Sequence, residues 1–430
     1  MANDDFEALT ARYGYPLYLY NASAIVAQLD SLRAALPGFE CFYSVKTNPH
    51  PGILALMNNA GTGADAASAA EVDRAARAGF SPDRIMYSAP GKRREDLEQT
   101  LDHCILVADS YAELALLQRM CEEKNRTASV GLRVNPNLAF GPGTSPELLP
   151  GAPAKFGVDV ESLPAYRAFF ASLTRVRLCG IHVYVRSQVL DHRVLCAYLE
   201  HVLDLARFCV TDIGCKLDFI NFGGGFGVPC APADSPIDWQ GLRPLLERVA
   251  ARGDDLKPGR LRFIVESGRY LVAAAGTFVT RVTDVKKSRG RIFVLAPGAL
   301  NNFMRPALMN LFASFPHPVP VPLEPLYSGI DAFAVSIPGR EGEEKVEVTV
   351  AGTLCTALDC MAASVALPLP RVGDILCVNN AGAYACTLSP HEFAGLGRPK
   401  ELLLAADGSV SAYPEYVASR RRRPLRKNRA

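Results

Sequence analysis

Between about residues 40 and 270 the chain alternates short apolar runs with longer amphipathic segments. Runs rich in β-branched and aromatic residues recur as "ECFYSV", "GTGADAA", "DRIMYS", "CILVAD", "SVGLRVN", "LCGIHVYV", "LDFINF" and "LRFIVE". Between them, "ASAAEVDRAARAGF", "KRREDLEQTLDHC", "YAELALLQRMCEEKN" and "RVLCAYLEHVLDLARFCV" return apolar residues every three or four positions. Short apolar runs predict buried strands, and the 3.6-residue period predicts helices that cover them. Eight such repeats predict a (β/α)8 barrel, with an open doubly wound sheet as the alternative.

Beyond residue 280 the rhythm changes. "FVTRVTDVKKSRGRIFVLAPG", "EKVEVTVAGTLC" and "VGDILCVNNAGAY" alternate without long helices between them, which predicts a mostly β second domain. The early "PLYLY" is expected to join it. The boundaries read as a barrel over 26–275, a β domain over 1–25 and 276–418, and a basic, disordered tail over 419–430.

Composition narrows the classes. Hydrophobic residues make up 49% of the 430 residues and charged residues 21%, which suits a globular chain with a large core. A net charge of +2 offers no chain-wide footprint for nucleic acid. No apolar run is long enough to span a bilayer, and the first residues lack a signal-peptide pattern. The 12 cysteines lie scattered without paired spacing, so free thiols in a reducing cytoplasm are expected rather than a disulfide framework. The tail "SRRRRPLRKNRA" reads as a solvated terminus, with contact to an acidic partner as the alternative.

Barrel active sites stand at the carboxyl ends of the strands. There the sequence places Lys46, Asp65, Ser88, Asp109, Asn135, Arg186, Ser187, a glycine run from Gly223, and Glu266. After the seventh strand, "NFGGGFGVP" brings Gly223, Gly224, Gly225 and Gly227; after the eighth, "ESGRY" brings Gly268 and Arg269. Side-chain-free amides and an arginine at these two loops suit a phosphate. Alone, the glycines read as a tight turn and Lys46 as a strand-end lysine snorkelling to solvent. Taken with Glu266, they suggest pyridoxal phosphate (PLP): an aldehyde for the lysine, a phosphate for the glycines, and a ring nitrogen for the carboxylate. No metal site is expected.

These residues resemble the fold-type III PLP-dependent decarboxylases, which include diaminopimelate and ornithine decarboxylases, over nearly the whole chain. "YSVKTN" resembles the family's lysine motif, and "GADAAS" with Glu71 its second-strand motif, which holds Asp65; "RVNP" and "AKFGV" resemble a pair typical of the diaminopimelate branch. The resemblance implies an alanine-racemase-like barrel followed by the β domain. It makes Lys46 the PLP lysine and gives Glu266 to the pyridine nitrogen. It gives Asp65, Ser187, Gly224, Gly225, Gly268 and Arg269 to the cofactor, with Arg269 also near the substrate carboxylate. "NNFMRPAL" implies that Arg305 meets the substrate carboxylate, "GTLCTALD" that Cys355 returns a proton after carbon dioxide leaves, and "GAY" that Tyr384 stands near the PLP phosphate. It also implies a homodimer in which the cysteine loop completes the partner's site.

The departures from the family bear on substrate. Tyr184 stands where the diaminopimelate branch has a stacking histidine, and Arg186 where it has a glycine. His182 matches another family histidine and reads as structural. Thr356 replaces the glutamate that contacts a distal amino group, and Met309 replaces a tyrosine; Asp359 remains as a residue able to contact an amine. An arginine-lined entrance without that glutamate implies an extended amino-acid substrate, acylated, carrier-linked or from a siderophore or antibiotic pathway, rather than free diaminopimelate. The alternatives are an unusual diaminopimelate, ornithine or lysine decarboxylase, an amino-acid racemase, and an inert regulatory homologue. Glu266 and "GTLC" disfavour the racemase, and retention of the motif residues disfavours the inert homologue.

Overall fold

The computed structural model describes residues 3–137, 154–184, 186–230, 234–251, 256–313 and 333–413. The basic tail expected over 419–430 lies outside the described residues. Described residues within Leu29–Gly227 and Pro236–Gly268 form one compact unit, and those within Met1–Gln28, Val228–Ser235 and Arg269–Arg420 form another.

In chain order the strands are β1 (Leu17–Asn21), β2 (Phe39–Ser44), β3 (Gly63–Ala66), β4 (Ile85–Tyr87), β5 (Ile105–Ala108), β6 (Ala128–Asn135), the short β7 (Val158–Asp159), β8 (Val176–His182), β9 (Phe219–Asn221) and β10 (Arg262–Ser267). They continue as β11 (Gly276–Arg281), β12 (Asp284–Ser288), β13 (Arg291–Leu295), β14 (Val335–Ser336), β15 (Lys345–Ala351), β16 (Cys360–Pro368), β17 (Ile375–Val378), β18 (Lys400–Leu404) and β19 (Val410–Ala412).

The first unit is a closed parallel barrel, so the open-sheet alternative falls away. Its pairing runs β5-β4-β3-β2-β10-β9-β8-β6 and closes through β5 against β6, where Leu106 stands opposite Val130. Phe42, Met86, Val107, Cys179, Phe219 and Ile264 pack together inside it. Large and small residues face each other there. The Phe219 ring occupies the space where side chains at Gly131 and Gly180 would stand, so these two strands tolerate only glycine at those positions. Between strands, the helices Ala69–Arg77, Arg94–Thr100, Tyr111–Glu123 and His192–Phe208 realise the predicted 3.6-residue patterns. The helix after β3 starts with a reciprocal cap: Ser68 accepts from Glu71 N, and Glu71 Oε2 accepts from Ala67 N at 2.7 Å.

The second unit holds two sheets. One runs β14-β17-β11-β1-β18-β19; the early "PLYLY" enters it as β1, antiparallel to β11 and parallel to β18. The other runs β12-β13-β15-β16. Phe6, Leu9, Leu17, Leu19, Val279, Ile375, Cys377 and Leu402 form a core on the first sheet. Among the described residues no helix is long and apolar enough to cross a membrane.

Candidate active site

The barrel unit places Lys46, Asp65, Asp109 and Glu266 at or just beyond the carboxyl ends of its strands. β2 ends at Ser44, and Val45–Thr47 form a 3₁₀ turn that buries Val45 and Thr47 and leaves Lys46 exposed. Lys46 Nζ stands 5.8 Å from the centre of the Tyr184 ring. Gly268 packs directly on Thr47, with no room there for a side chain, so the end of β10 fixes the turn that carries the lysine.

Glu266, 4% exposed, sits one residue before the end of β10. Its Oε1 accepts from Asn221 Nδ2 at 2.7 Å on neighbouring β9. His182 Nε2, from β8, lies 3.1 Å from the same oxygen, within ion-pair range but off the line of a well-formed hydrogen bond. Burial would push this carboxyl up, but the close approach of His182, the Lys46 charge and the Asn221 bond outweigh it and hold Glu266 at about 2.

Asp65, at the third position of β3, is also buried. Its oxygens accept from Ser44 Oγ at 3.1 Å and Ser88 Oγ at 2.9 Å. Burial and then the Glu266 charge push Asp65 up, against the opposing pull of Lys46 and His182. Two neighbouring carboxyl groups are thereby driven apart, one held ionised and one toward its protonated form.

Sequence reading singled out neither Asn221 nor Arg133, and took His182 as structural. The structure sets His182 against the Glu266 carboxylate. Arg133, on β6, is 7% exposed; its guanidinium lies 4.4 Å from the Phe156 ring centre, 5.9 Å from that of Tyr184 and 3.9 Å from Asp109 Oδ1. A signal did exist for Asn221 and Arg133: each places a strong polar group inside an otherwise apolar strand run.

The glycine run follows β9. Glu266 N donates to Gly223 O at 2.8 Å, and Val189 N donates to Gly225 O at 2.8 Å. A Cβ on Gly224 would overlap the Glu266 carbonyl oxygen, and one on Gly225 the Arg186 carbonyl oxygen, with Ser187 Cα 3.8 Å away. Gly225 also has a φ of 107°, in the region that favours glycine. The ends of β8, β9 and β10 thus press together around backbone that only glycine permits. That cradle, a lysine beside an aromatic ring, and a buried ionised carboxylate fit the phosphate, aldehyde and ring nitrogen of PLP.

In the second unit, Arg269 follows Gly268, and its guanidinium lies 5.1 Å from the centre of the Tyr384 ring. Arg305 is 3% exposed and donates from Nη1 to Ala383 O at 2.6 Å, next to Tyr384. Met309, on the same helix (Met304–Ala313), is buried.

The loop after β15 carries Cys355, which is exposed. Two neighbours that sequence reading gave to substrate are engaged by backbone. Thr356 Oγ1 accepts from Leu358 N at 3.3 Å. Asp359 accepts from Leu300 N on one oxygen and from Leu354 N on the other, both at 2.7 Å. Thr356 and Asp359 share the lining of an open groove with Lys286, Ser288 and Arg291. Among the described residues no cluster of three or more His, Cys, Asp or Glu could hold a metal.

Comparison with known proteins agrees with this chemistry. Residues 22–273 match the family described as pyridoxal-dependent decarboxylase, pyridoxal binding domain. The L-glutamyl-[BtrI acyl-carrier protein] decarboxylase of Niallia circulans is 34% identical over 93% of this chain and 91% of its own length. The diaminopimelate decarboxylase of Methanothermobacter thermautotrophicus is 30% identical over 96% and 91%. The structure of Helicobacter pylori diaminopimelate decarboxylase complexed with L-lysine superimposes with a TM-score of 0.78 at 25% identity, covering 95% of each chain.

Proposed function

Because this chain belongs to the pyridoxal-dependent decarboxylases, we propose that it removes the α-carboxylate of an aminoacyl group whose far end is tethered to an acyl-carrier protein. The observation that carries the substrate is the groove beside Thr356. A free diamino acid needs an anionic partner for its distal ammonium. This groove presents Lys286 and Arg291, and both oxygens of its Asp359 already accept backbone N–H groups. Cations repel an ammonium, whereas they suit the anionic arm and acidic surface of a carrier. The resemblance to a decarboxylase of a carrier-bound L-glutamyl group supports the same reading.

When bound, PLP supplies an electron-accepting ring that takes up the electron pair left by departing carbon dioxide. Lys46 would hold the cofactor through its amine. Glu266, ionised and braced by His182 and Asn221, keeps a proton on the ring nitrogen. Tyr184 would support the cofactor, and the Arg133 guanidinium lies near both the Tyr184 and the Phe156 rings. Asp65 anchors the same end of the site through Ser44 and Ser88. Gly224, Gly225, Ser187, Gly268, Arg269 and Tyr384 serve the phosphate. Arg305 and Arg269 meet the substrate carboxylate, with Met309 as an apolar wall, Arg186 at the entrance, and Thr356 and Asp359 shaping the far end. Cys355 delivers a proton to the carbon that lost carbon dioxide.

The exposure of Cys355 favours a homodimer in which this loop completes the partner's site, as the family resemblance implies. The 12 cysteines are all free, which suits a reducing compartment, and we place the enzyme in the cytoplasm.

Carbon dioxide release should be measured with glutamyl-loaded carrier protein and with free glutamate, meso-diaminopimelate, ornithine and lysine. Turnover of the loaded carrier alone is expected. Efficient turnover of free meso-diaminopimelate would overturn the carrier reading and leave the decarboxylase chemistry standing.

A further inference from the structure

Tyr384 has a φ of 51°, a left-handed backbone that a bulky residue adopts only when its surroundings impose it. The carbonyls on either side are tied down. Ala383 O accepts from Arg305, and Ala385 O accepts from Ser389 Oγ at 2.8 Å. Ser389 Oγ in turn accepts from Met304 N at 3.0 Å, at the start of the helix that carries Arg305. One further tie closes the frame: Cys386 O lies 2.6 Å from His391 Nε2, and His391 Nδ1 lies 3.2 Å from Asn302 Nδ2.

The polarity of the His391 contacts follows from their partners. A carbonyl oxygen only accepts, so Nε2 carries the proton. The Asn302 amide cannot reverse without loss, because its Nδ2 donates to Gly397 O at 3.0 Å and its Oδ1 accepts from Asn301 Nδ2 at 3.1 Å. Nδ1 therefore faces a donor and must be bare. Tyr18 OH adds a bond of 2.6 Å to Asn302 O, so the far side of the bracket is itself anchored in the sheet.

We propose that His391, as a neutral imidazole protonated on Nε2, is a positioning residue that locks the segment bearing Tyr384 to the segment bearing Arg305. The inference rests on the reading above that Tyr384 serves the PLP phosphate and Arg305 the substrate carboxylate; it is independent of whether the substrate is carrier-bound. Protonation turns Nδ1 into a second donor against the Asn302 amide and opens the bracket. The ionisable groups around the ring are the Cys386 thiol, with Sγ 3.7 Å from Nε2, and the Arg398–Glu401 pair. Burial and Arg398 lower the imidazole, against Glu401 and the Cys386 and Asn301 backbone bonds, so the ring stays neutral to a lower pH than a free imidazole.

His391→Leu removes both contacts, whereas His391→Gln offers an amide N–H to Cys386 O and an amide oxygen to Asn302. The dissociation constant of PLP from refolded apoenzyme, read by absorbance, is expected to rise about tenfold or more in His391→Leu and to return to within about threefold in His391→Gln. KM for substrate should rise in the same order with kcat changed by less than about threefold. Wild-type PLP affinity should also fall on acidification, at a pH below that at which a free imidazole titrates, and this fall should be absent in His391→Gln. A folded His391→Leu enzyme with unchanged PLP affinity and KM overturns the proposal, as does a glutamine variant with the wild-type pH dependence. That second comparison decides the matter if the leucine variant does not fold. Tyr384→Phe separates the premises: unchanged PLP affinity there removes the role of Tyr384, while ¹⁵N imidazole shifts still report whether His391 carries its proton on Nε2.

Discussion

His182 Nε2 stands 3.1 Å from Glu266 Oε1, with both side chains almost wholly shielded from solvent. The pair explains how a carboxyl buried in the barrel stays ionised. Without His182, burial is left opposed only by Lys46 and Asn221, so the Glu266 carboxyl must climb from its present value of about 2. Because that value lies below the ordinary 4.5, ionisation of Glu266 stabilises the fold fully above pH 4.5, and this contribution is lost as pH falls toward 2. In His182→Leu the acid limb of kcat is expected to move upward by one to a few pH units, on the order of the shifts that burial alone produces. Its maximal kcat should fall by about ten- to a hundredfold. A kcat–pH profile of the two enzymes checks both outcomes, and superimposable acid limbs would dissociate His182 from Glu266.

Gly225 predicts cofactor affinity. An alanine there would force its Cβ into the Arg186 carbonyl oxygen at a φ of 107°, so the β8 and β9 loops must part. Gly225→Ala should purify largely without PLP and bind added PLP at least about tenfold more weakly. Gly214 is the control. It also has a positive φ, 85°, but a Cβ there meets nothing within 4 Å. Gly214→Ala should cost on the order of 1 kcal/mol of stability and leave PLP affinity unchanged. Titration of apoenzyme with PLP, beside thermal melts, distinguishes them.

Most of the barrel and the lysine–glycine–glutamate frame were legible because each depends on local pattern. Apolar runs mark the strands, and Lys46, the Gly223 run and Glu266 follow them at fixed places. What His182 supports was not legible, because it depends on β8 and β10 aiming two side chains at one point, which spacing along the chain does not reveal. Thr356 and Asp359 were legible as candidate substrate contacts but not in their local bonding, where backbone N–H groups from Leu358, Leu300 and Leu354 donate to their oxygens. Such occupancy arises only once loops fold back on themselves.

A buried ion pair in the barrel unit offers a stability test. Lys92 Nζ lies 2.6 Å from Glu113 Oε1 and 2.7 Å from Val107 O, with the two side chains 0% and 5% exposed. Burial pushes Lys92 down and Glu113 up, and each charge resists the shift of the other. Lys92→Met leaves a lone buried carboxylate and should destabilise the protein by about 3–5 kcal/mol. Lys92→Met with Glu113→Leu removes both charges and should recover most of that loss. Urea unfolding of the barrel checks the pair; equal losses in the single and double variants would show that packing, not charge, dominates.

Thr356 tests the substrate directly. In the diaminopimelate branch the family resemblance implies a glutamate here, placed to meet a distal ammonium. Thr356 instead closes its own turn by accepting from Leu358 N, in a groove shared with Lys286 and Arg291. A glutamate at this position retains an oxygen able to accept from Leu358 N, so the turn can persist. It also adds the carboxylate that a free diamino acid requires. A charge-assisted bond of this kind contributes about 1.5–3 kcal/mol, so kcat/KM for free meso-diaminopimelate should rise roughly ten- to a hundredfold in Thr356→Glu. The same carboxylate draws the two cations to itself and should lower kcat/KM for the loaded carrier. Parallel assays of both substrates measure the exchange. A variant that loses the carrier substrate without gaining the free one would locate the distal recognition elsewhere than this loop.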